Sequence, residues 1–222
     1  LNDHGSKWLE YTLDIYDREG IPYYGGGRNI TDAQEPAIFN INGYKFAFIG
    51  ANSFGPASDW ATEDMAGSAP INSLDEASKE KDMEKYEELV SSLKSRGYNV
   101  IFTFQYLETY NYAPTAQQVK DFERMSDAGA VIVSGSQAHQ PQGFEVRNDG
   151  MINFGLGNLF FGQALGIEVK QGLILKHIFY KGKLINTVLV TTLIEDFSQP
   201  VPVDGKQRAD LLKAVFDGSV RP

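Results

Sequence analysis

The sequence predicts a single α/β domain, residues 1–222, in which helices cover a sheet or a pair of sheets. Amphipathic helical patterns alternate with short apolar runs over much of the chain, and such runs are typical of buried strands. The last part of the chain is mostly strand-like. No internal repeat or linker interrupts the 222 residues, a length that suffices for one sizeable core.

Composition and charge exclude several classes of function. The net charge is −9 and Lys and Arg are not clustered, so we expect no nucleic-acid partner, because phosphate binding needs a basic surface. The chain has no cysteine, which excludes disulfides, cysteine–zinc sites and thiol catalysis. No apolar run reaches the roughly 18 residues of a membrane span, and no signal peptide is visible.

The start of the chain predicts one helix followed by short elements. Ser6 is expected to cap the helix, because apolar residues follow it at helical spacing, and Gly20 is expected to end it. A short strand is expected over 21–24 and a turn over 25–27. Residues 31–35 predict one helical turn that ends at a proline.

A hairpin is the clearest local prediction. Asn42-Gly43 joins two apolar runs, 37–41 and 44–50, and this dipeptide favours the tight turn of a two-stranded hairpin. Residues 51–80 are polar and irregular, which predicts a long surface loop.

The middle of the chain is expected to alternate helices and strands. An amphipathic helix is expected to end near Gly97, and a buried strand follows over 99–104. Thr115 and Gln118 form a capping box ahead of a second helix. The apolar run 130–134 then predicts the next strand.

The C-terminal part is expected to be mostly β, with strands over 144–147, 151–154, 173–180 and 184–193. Asp204 and Gln207 are expected to cap a final helix. That helix carries its apolar residues on one face.

Polar residues follow strand-like runs or open the chain at three places. They are Asn2-Asp3-His4-Gly5, Gln105-Tyr106-Leu107-Glu108 and Gln137-Ala138-His139. If the strands are neighbours in one sheet, these groups meet at the same edge. An imidazole, carboxylates and amide oxygens that meet there bind a metal or orient a polar substrate.

His139 has three interpretations from the residues alone. It is a metal ligand, a general acid or base, or a hydrogen-bonded structural residue. Glu108 is a candidate base or a solvated carboxylate, and Asn158 contacts a substrate or fixes a turn. Asp3 precedes the first helix, where an aspartate is a ligand or a partner of the helix dipole.

The amide and tyrosine residues have two interpretations each. Gln105, Gln137 and Gln142 contact a substrate or form hydrogen bonds to loop backbone. Tyr106, Tyr110 and Tyr112 stack on a sugar or peptide ligand or pack within their loop. A glycan- or peptidoglycan-binding module that uses these rings is therefore one functional hypothesis.

Several motifs occur in the order in which one bacterial family carries them. They are Asp3-His4-Gly5, the segments 20–29 and 42–50, Asp127-Ala128-Gly129-Ala130, Gly135 with His139 and Gln142, the segment 155–160, and Gln199-Pro200-Val201-Pro202. On these residues the sequence resembles the CapA family of capsule-synthesis proteins, which is linked to poly-γ-glutamate. The resemblance runs almost from end to end.

The resemblance implies the fold of the metal-dependent phosphatases, an α/β sandwich of two sheets flanked by helices. It also implies that the family's first strand would lie before Leu1, so the domain is expected to be incomplete at its N-terminus. A divalent metal is the implied cofactor. Asp3 and His139 are the residues that match the family's metal ligands.

The sequence also departs from the family's motifs. The family's His-Trp-Gly-x-Glu-Tyr appears as the segment 105–110, with Gln105 in place of the histidine and Glu108 offset by one position. The family's Gly-His-His-Pro-His appears as Gly135-Ser136-Gln137-Ala138-His139, with the last histidine kept. We therefore expect an altered site whose catalytic candidates are His139, Glu108 and Asn158.

Three functions are weighed on this basis. The favoured one is a capsule protein of the bacterial cell surface that handles poly-γ-glutamate or another anionic polymer, with membrane proteins of capsule synthesis as partners. The second is a metal-dependent hydrolase of phosphoester or γ-glutamyl amide bonds, and the third is the glycan-binding module. The resemblance implies an extracytoplasmic location, reached through a segment ahead of Leu1.

Overall fold

The computed structural model describes residues 4–163 and 165–220 and confirms the α/β class. The chain divides into two compact units. The first contains the residues up to 105 together with 128–130, and the second contains 106–127 and the chain from 131 onward. Each unit has its own strands and helices.

The elements of the first unit are short apart from two helices and two strands. They are α1 (Ser6–Glu19), β1 (Gly26–Gly27), α2 (Ile30–Ala33), β2 (Ala37–Ile41), β3 (Tyr44–Asn52), β4 (Gly67–Ser68), α3 (Glu76–Ser95) and the first part of β5 (Asn99–Thr109). β2 pairs antiparallel with β3, and β3 pairs parallel with β5. The unit therefore contains a mixed sheet, with β1 and β4 as a separate antiparallel pair.

Helix α3 covers the sheet of the first unit through an aromatic contact. The Tyr86 ring lies edge-on to Phe102, with centroids 5.4 Å apart, and Phe102 packs against Phe104 of the same strand. All three side chains are buried. Burial raises the pKa of the Tyr86 hydroxyl, because the charged phenolate is disfavoured in an apolar interior.

The predicted hairpin is confirmed. Strands β2 and β3 pair from Ala37 with Phe48 to Ile41 with Tyr44. Asn42 and Gly43 both have positive φ, 52° and 83°, as a type I′ turn requires. The strand expected over 21–24 does not form.

Two glycines explain why the first unit has a strand where a turn was expected. Gly27 lies in β1, where a Cβ would come within 2.2 Å of the Ala33 nitrogen. Gly67 lies in β4, where a Cβ would come within 2.3 Å of the Ala61 nitrogen. The close approach of β1 to Ala33 and of β4 to Ala61 is therefore open only to glycine at these two positions.

The cap of the first helix differs from the prediction. Gly5, with φ 85°, occupies the N-cap position, and Ser6 is the first helical residue. No side chain caps this end, so glycine supplies backbone freedom in place of a capping oxygen. The predicted end at Gly20 is confirmed, since its φ of 65° is the left-handed conformation that ends helices.

The span 51–80 contains more structure than its polar composition suggests. It holds the end of β3, a 3-10 helix at Ala57–Asp59, β4 and the start of α3. It also buries apolar side chains, among them Trp60 and Ile71.

The second unit contains the rest of β5 and the C-terminal elements. They are α4 (Ala116–Ala128), β6 (Ala130–Ala138), β7 (Phe144–Arg147), β8 (Gly150–Asn153), β9 (Gln171–Tyr180), β10 (Lys183–Glu195), β11 (Gln199–Pro202) and α5 (Gly205–Asp217). β6 pairs parallel with β8, and β7 pairs antiparallel with β8. β9, β10 and β11 form a separate antiparallel sheet in the order β11-β10-β9.

The helices of the second unit each cover a different set of strands. α4 packs through Phe122 on Phe154, with ring centroids 5.5 Å apart. α5 buries Leu211 and Val215 in one cluster with Leu173 of β9. The apolar stripes that predicted these helices therefore face the two sheets of this unit.

Two predicted helix caps are corrected. Thr115 Oγ1 accepts the backbone N–H of Gln118, but the Gln118 side chain turns inward instead of completing a capping box. Asp204 occupies the N-cap position of α5 and makes no side-chain capping bond.

The sequence pattern does not predict strand β11, because the strand contains Pro200 and Pro202. Prolines of this kind are tolerated in an edge strand, which is the position of β11 in its sheet.

Strand β6 contains one position that only glycine fits. A Cβ on Gly135 would lie 2.1 Å from the Phe154 carbonyl oxygen and 3.0 Å from Cε1 of Phe122. Backbone cannot yield as a flexible side chain can, so a larger residue would force the strand away from its neighbour.

Replacing Gly135 with alanine should lower the free energy of unfolding by about 1–3 kcal/mol, the usual range for overpacking. Gly26→Ala is the matched control, because its nearest neighbour would be 3.6 Å away. Thermal unfolding followed by circular dichroism measures both variants. Equal melting temperatures for Gly135→Ala and the unaltered protein would contradict the packing described.

Arg147, at the end of β7, forms ion pairs with several neighbouring carboxylates. Arg147 binds Asp127 through two hydrogen bonds, Nε to Oδ1 at 2.8 Å and Nη2 to Oδ2 at 2.9 Å. This pairing lowers the pKa of the Asp127 carboxyl. Burial raises the pKa of Glu145, which also accepts a hydrogen bond from Arg147.

The Asp127 pair makes stability depend on pH. Its folded-state pKa lies below the ordinary aspartate value of about 3.9. The pair therefore stabilises the fold above that value, and the stabilisation is lost as pH falls through the depressed folded-state pKa. Asp127→Asn should lower the melting temperature at neutral pH, and the deficit should shrink in acid. A deficit that stays constant with pH, or an equal one in the exposed Asp149→Asn, would contradict this.

Candidate functional site

His139 follows directly after the last residue of β6. The strand runs four residues further than predicted, to Ala138. The His139 backbone N–H donates to the carbonyl of Thr109, at 2.9 Å, where β5 ends. The polar residues at the ends of these two strands are thereby brought together, as the sequence predicts for strand ends in layered α/β proteins.

The imidazole of His139 lies between two aromatic rings. Tyr110 stacks on one side, with centroids 5.1 Å apart and planes 27° apart. Phe161 stacks on the other, at 5.6 Å and 25°. The side chain of His139 is 13% exposed, so the two rings leave only its edge accessible.

Asn158 fixes the protonation pattern of this imidazole. Its Nδ2 donates to the carbonyl of Val169 at 2.9 Å, which directs Oδ1 to the other side. Oδ1 lies 3.0 Å from Nδ1 of His139. Because an amide oxygen only accepts, Nδ1 carries the hydrogen, and Nε2 of the neutral ring is left with a lone pair.

Glu108 faces that second nitrogen. Its Oε1 lies 3.6 Å from Nε2 of His139 and accepts a hydrogen bond of 3.2 Å from the Tyr110 hydroxyl. A neutral imidazole would place a lone pair opposite a carboxylate, which is unfavourable without a shared proton or donor. The pair therefore suits an imidazolium, or a ligand that places a donor between the two groups.

The residues described here do not form a dinuclear metal centre. His139 and Glu108 supply two donors, and no three His, Asp or Glu side chains within residues 4–163 and 165–220 come together to hold a metal. A two-metal site needs more ligands than this. Asp3 lies outside the described residues, so its role as a ligand stays a prediction.

Comparison with known proteins establishes the family. The family model described as bacterial capsule synthesis protein PGA_cap matches residues 1–163. The chain belongs to this family. The resemblance carried by the ordered motifs is thereby confirmed.

Two curated relatives of this family are similar over most of the chain. The capsule biosynthesis protein CapA of Bacillus anthracis is 28% identical over 204 residues, 90% of this chain. The PGA biosynthesis protein CapA of Bacillus subtilis (strain 168) is 23% identical over 218 residues, 98% of this chain. The matches cover 47% and 55% of the relatives, so the chain spans about half of their length.

The other predicted site residues of the segments 105–110 and 135–139 lie in different surroundings. Gln137 is half-buried in β6 with a positive φ of 84°. Gln105 belongs to the first unit, where its carbonyl accepts from the backbone N–H and the hydroxyl of Ser53. His4 is exposed. The structure therefore brings together His139, Glu108 and Asn158 of the predicted set.

Gln142 lies in the interior of the second unit, and Tyr106 is half-buried there. The Gln142 side chain is fully buried, accepts from Nε2 of Gln118 and donates to the carbonyl of Ala113. The Tyr106 hydroxyl donates to Asp121. These contacts give both residues a structural role and leave Tyr110 as the tyrosine that borders the imidazole.

The Gln142 backbone continues the same network. Its N–H donates to the carbonyl of Gly155 at 2.8 Å, and Gln118 Nε2 also donates to the carbonyl of Phe154. The end of β8 and the segment after His139 are thereby held to one another and to α4.

Two contributors to the site escaped the sequence analysis. Phe161 forms one wall, and the carbonyl of Val169 orients Asn158. The segment 155–167 contains no charged residue, although 22% of the chain is charged. This neutral, glycine- and phenylalanine-rich segment is the signal that would have drawn attention to Phe161.

Removing the amide of Asn158 should allow the neutral imidazole of His139 to adopt either tautomer. The neutral ring of the unaltered protein should carry its hydrogen on Nδ1. Asn158→Ala should shift a large share to the Nε2–H form. Long-range nitrogen–proton correlation spectra of the imidazole report the two forms. A predominant Nε2–H form in the unaltered protein would contradict this assignment, and exposed Asn186→Ala should change nothing.

Proposed function

We propose that this chain binds and positions an anionic polymer of the poly-γ-glutamate type during bacterial capsule synthesis, through the site around His139. The observation that carries the proposal is the imidazole whose free nitrogen faces Glu108 between two aromatic rings. Membership of the capsule-synthesis family supports the choice of polymer. One relative is named a PGA biosynthesis protein.

The groups at the site complement a γ-linked glutamate unit. Such a unit presents a carboxylate, an amide N–H and two methylene groups. A protonated His139 donates through Nε2 to the carboxylate, and Glu108 accepts from the amide N–H. The faces and edges of Tyr110 and Phe161 offer apolar surface to the methylene groups.

The charge of the chain sets the conditions of binding. A net charge of −9 opposes broad contact with a polyanion. Contact is therefore local, or bridged by cations that bind both partners. Higher ionic strength should weaken the general repulsion more than the short-range contacts within the site.

We extend the proposal to the type of fold and to the location of the protein. We take the mixed sheet, the antiparallel sheet and their covering helices, together with a histidine directly after β6, as support for a metallophosphatase-like sandwich with an altered site. We place the protein outside the cytoplasm, beside membrane proteins of capsule synthesis. Among the described residues, no helix is both long and apolar enough to cross a membrane.

Hydrolysis of a phosphoester or γ-glutamyl amide bond is the second candidate function. The orientation of His139 favours it, because Asn158 holds Nδ1 and leaves Nε2 free to take a proton from water. Hydrolysis of the γ-linked oligomer by the unaltered chain, and its loss in His139→Ala, would establish this function instead of binding alone.

His139→Ala should weaken binding of a fluorescent γ-linked glutamate oligomer about tenfold or more, because a hydrogen bond to a charged group contributes about 1.5–3 kcal/mol. His4→Gln is the control, since that side chain is exposed. Fluorescence anisotropy with and without divalent cations measures both. Absence of binding by the unaltered chain under all conditions would overturn the proposed function.

A further inference from the structure

A cavity of about 650 Å³ lies in the second unit, beside the segment that carries Phe161. Its walls come from Gly162, Gln163, Ile167 and Lys170, from the end of β10 and from the turn that joins β10 to β11. The volume falls within the range of small-molecule sites, about 300–1,000 Å³. It is large enough for an amino acid or the end of a short peptide.

The lining of this cavity combines apolar surface with charges of both signs. Ile167 and Phe197 supply apolar surface, and both are well exposed. Lys170 supplies an ammonium group, and Glu195 and Asp196 supply carboxylates. None of the three charged groups forms an ion pair with a described residue of the chain.

One wall of the cavity also contains an unsatisfied polar atom. Oε1 of Gln163 is buried and has no hydrogen-bond partner among the described residues. Leaving such an acceptor unpaired costs about 1–3 kcal/mol. A donor on a ligand, reached by rotation of this side chain into the cavity, would remove that cost.

The cavity is joined to the His139 site by a short stretch of backbone. Phe161, which stacks on the imidazole, is followed by Gly162, where a Cβ would come within 2.1 Å of the Phe197 carbonyl oxygen. The segment therefore packs directly against the turn that lines the cavity.

We infer that this cavity binds an α-amino-acid group, an ammonium and a carboxylate on one carbon with an aliphatic stem. Lys170 pairs with the carboxylate, and Glu195 and Asp196 pair with the ammonium. The stem packs between Ile167 and Phe197. A purely anionic group is disfavoured, because the lining carries two carboxylates against one ammonium.

The choice of ligand rests on the proposed function. In a γ-linked glutamate chain, the unit at the free amino end is the one that carries both an ammonium and a carboxylate on its α-carbon. Units further along the chain carry the carboxylate and an amide nitrogen. The cavity therefore distinguishes the amino end of the polymer from its interior, and it also fits free glutamate.

The test compares three probes on the 222-residue chain by isothermal titration calorimetry. They are a γ-linked glutamate trimer with a free amino end, the same trimer N-acetylated, and free glutamate. The free-ended trimer should bind at least tenfold more tightly than the acetylated one, because acetylation removes the ammonium. Free glutamate should compete for the same site.

Matched variants assign the effect to the cavity. Lys170→Met and Asp196→Asn should each reduce the preference for the free end several-fold. Lys183→Met and Asp149→Asn are the controls, since both residues are exposed, and Asp149 shares the left-handed backbone of Asp196. The controls should keep the full preference, and all four variants should keep their melting temperatures.

Each outcome decides the inference separately from the proposed function. Equal binding of the free and acetylated trimers overturns the inference and leaves polymer binding in place. If free glutamate binds and neither trimer does, the cavity is an amino-acid site and the proposed polymer binding is wrong. If the control variants lose the preference for the free amino end as the cavity variants do, the cavity is not the site that recognises it. If no probe binds, both the amino-end inference and the proposed polymer binding are wrong.

Discussion

Two buried glutamines hold the candidate site in one arrangement. Gln118 of α4 and Gln142 bond to each other, to the backbone directly after β8 and to the loop before α4. Each buried amide left unpaired would cost about 1–3 kcal/mol, so alternative arrangements of these segments are disfavoured. His139 precedes Gln142 by three residues, and Asn158 follows Gly155 by three. The distance between the two site residues therefore depends on this polar interior.

The family motif that the sequence resembles carries several histidines, whereas His139 faces the carboxylate of Glu108. Several histidines around a metal would act mainly through the metal's charge, whereas one imidazole facing Glu108 acts through its own donor and acceptor. The stacked rings of Tyr110 and Phe161 restrict access to the edge of that imidazole. We propose that such a site distinguishes ligands by where they carry hydrogen-bonding groups.

The sequence predicted the class of fold, the hairpin, the long helices and the meeting of Glu108 with His139, because each rests on local periodicity or on strand ends. It missed β1 and β11, since paired glycines and prolines do not read as strands. It also could not show that the side chain of Gln142 is buried and not exposed to a substrate. Whether a glutamine faces substrate or interior depends on packing between distant segments, which one sequence does not encode locally.

The positive φ of Gln137 has a consequence for how the histidine is aimed. Left-handed backbone costs a residue with a Cβ roughly 1–2 kcal/mol, and it interrupts the regular alternation of side chains along a strand. The backbone conformation at Gln137 thus helps to set the direction in which the His139 side chain points. A histidine moved one place back, to the buried position of Ala138, would point into the core. The position of the side chain at 139 can therefore shift only if the backbone at the end of β6 changes as well.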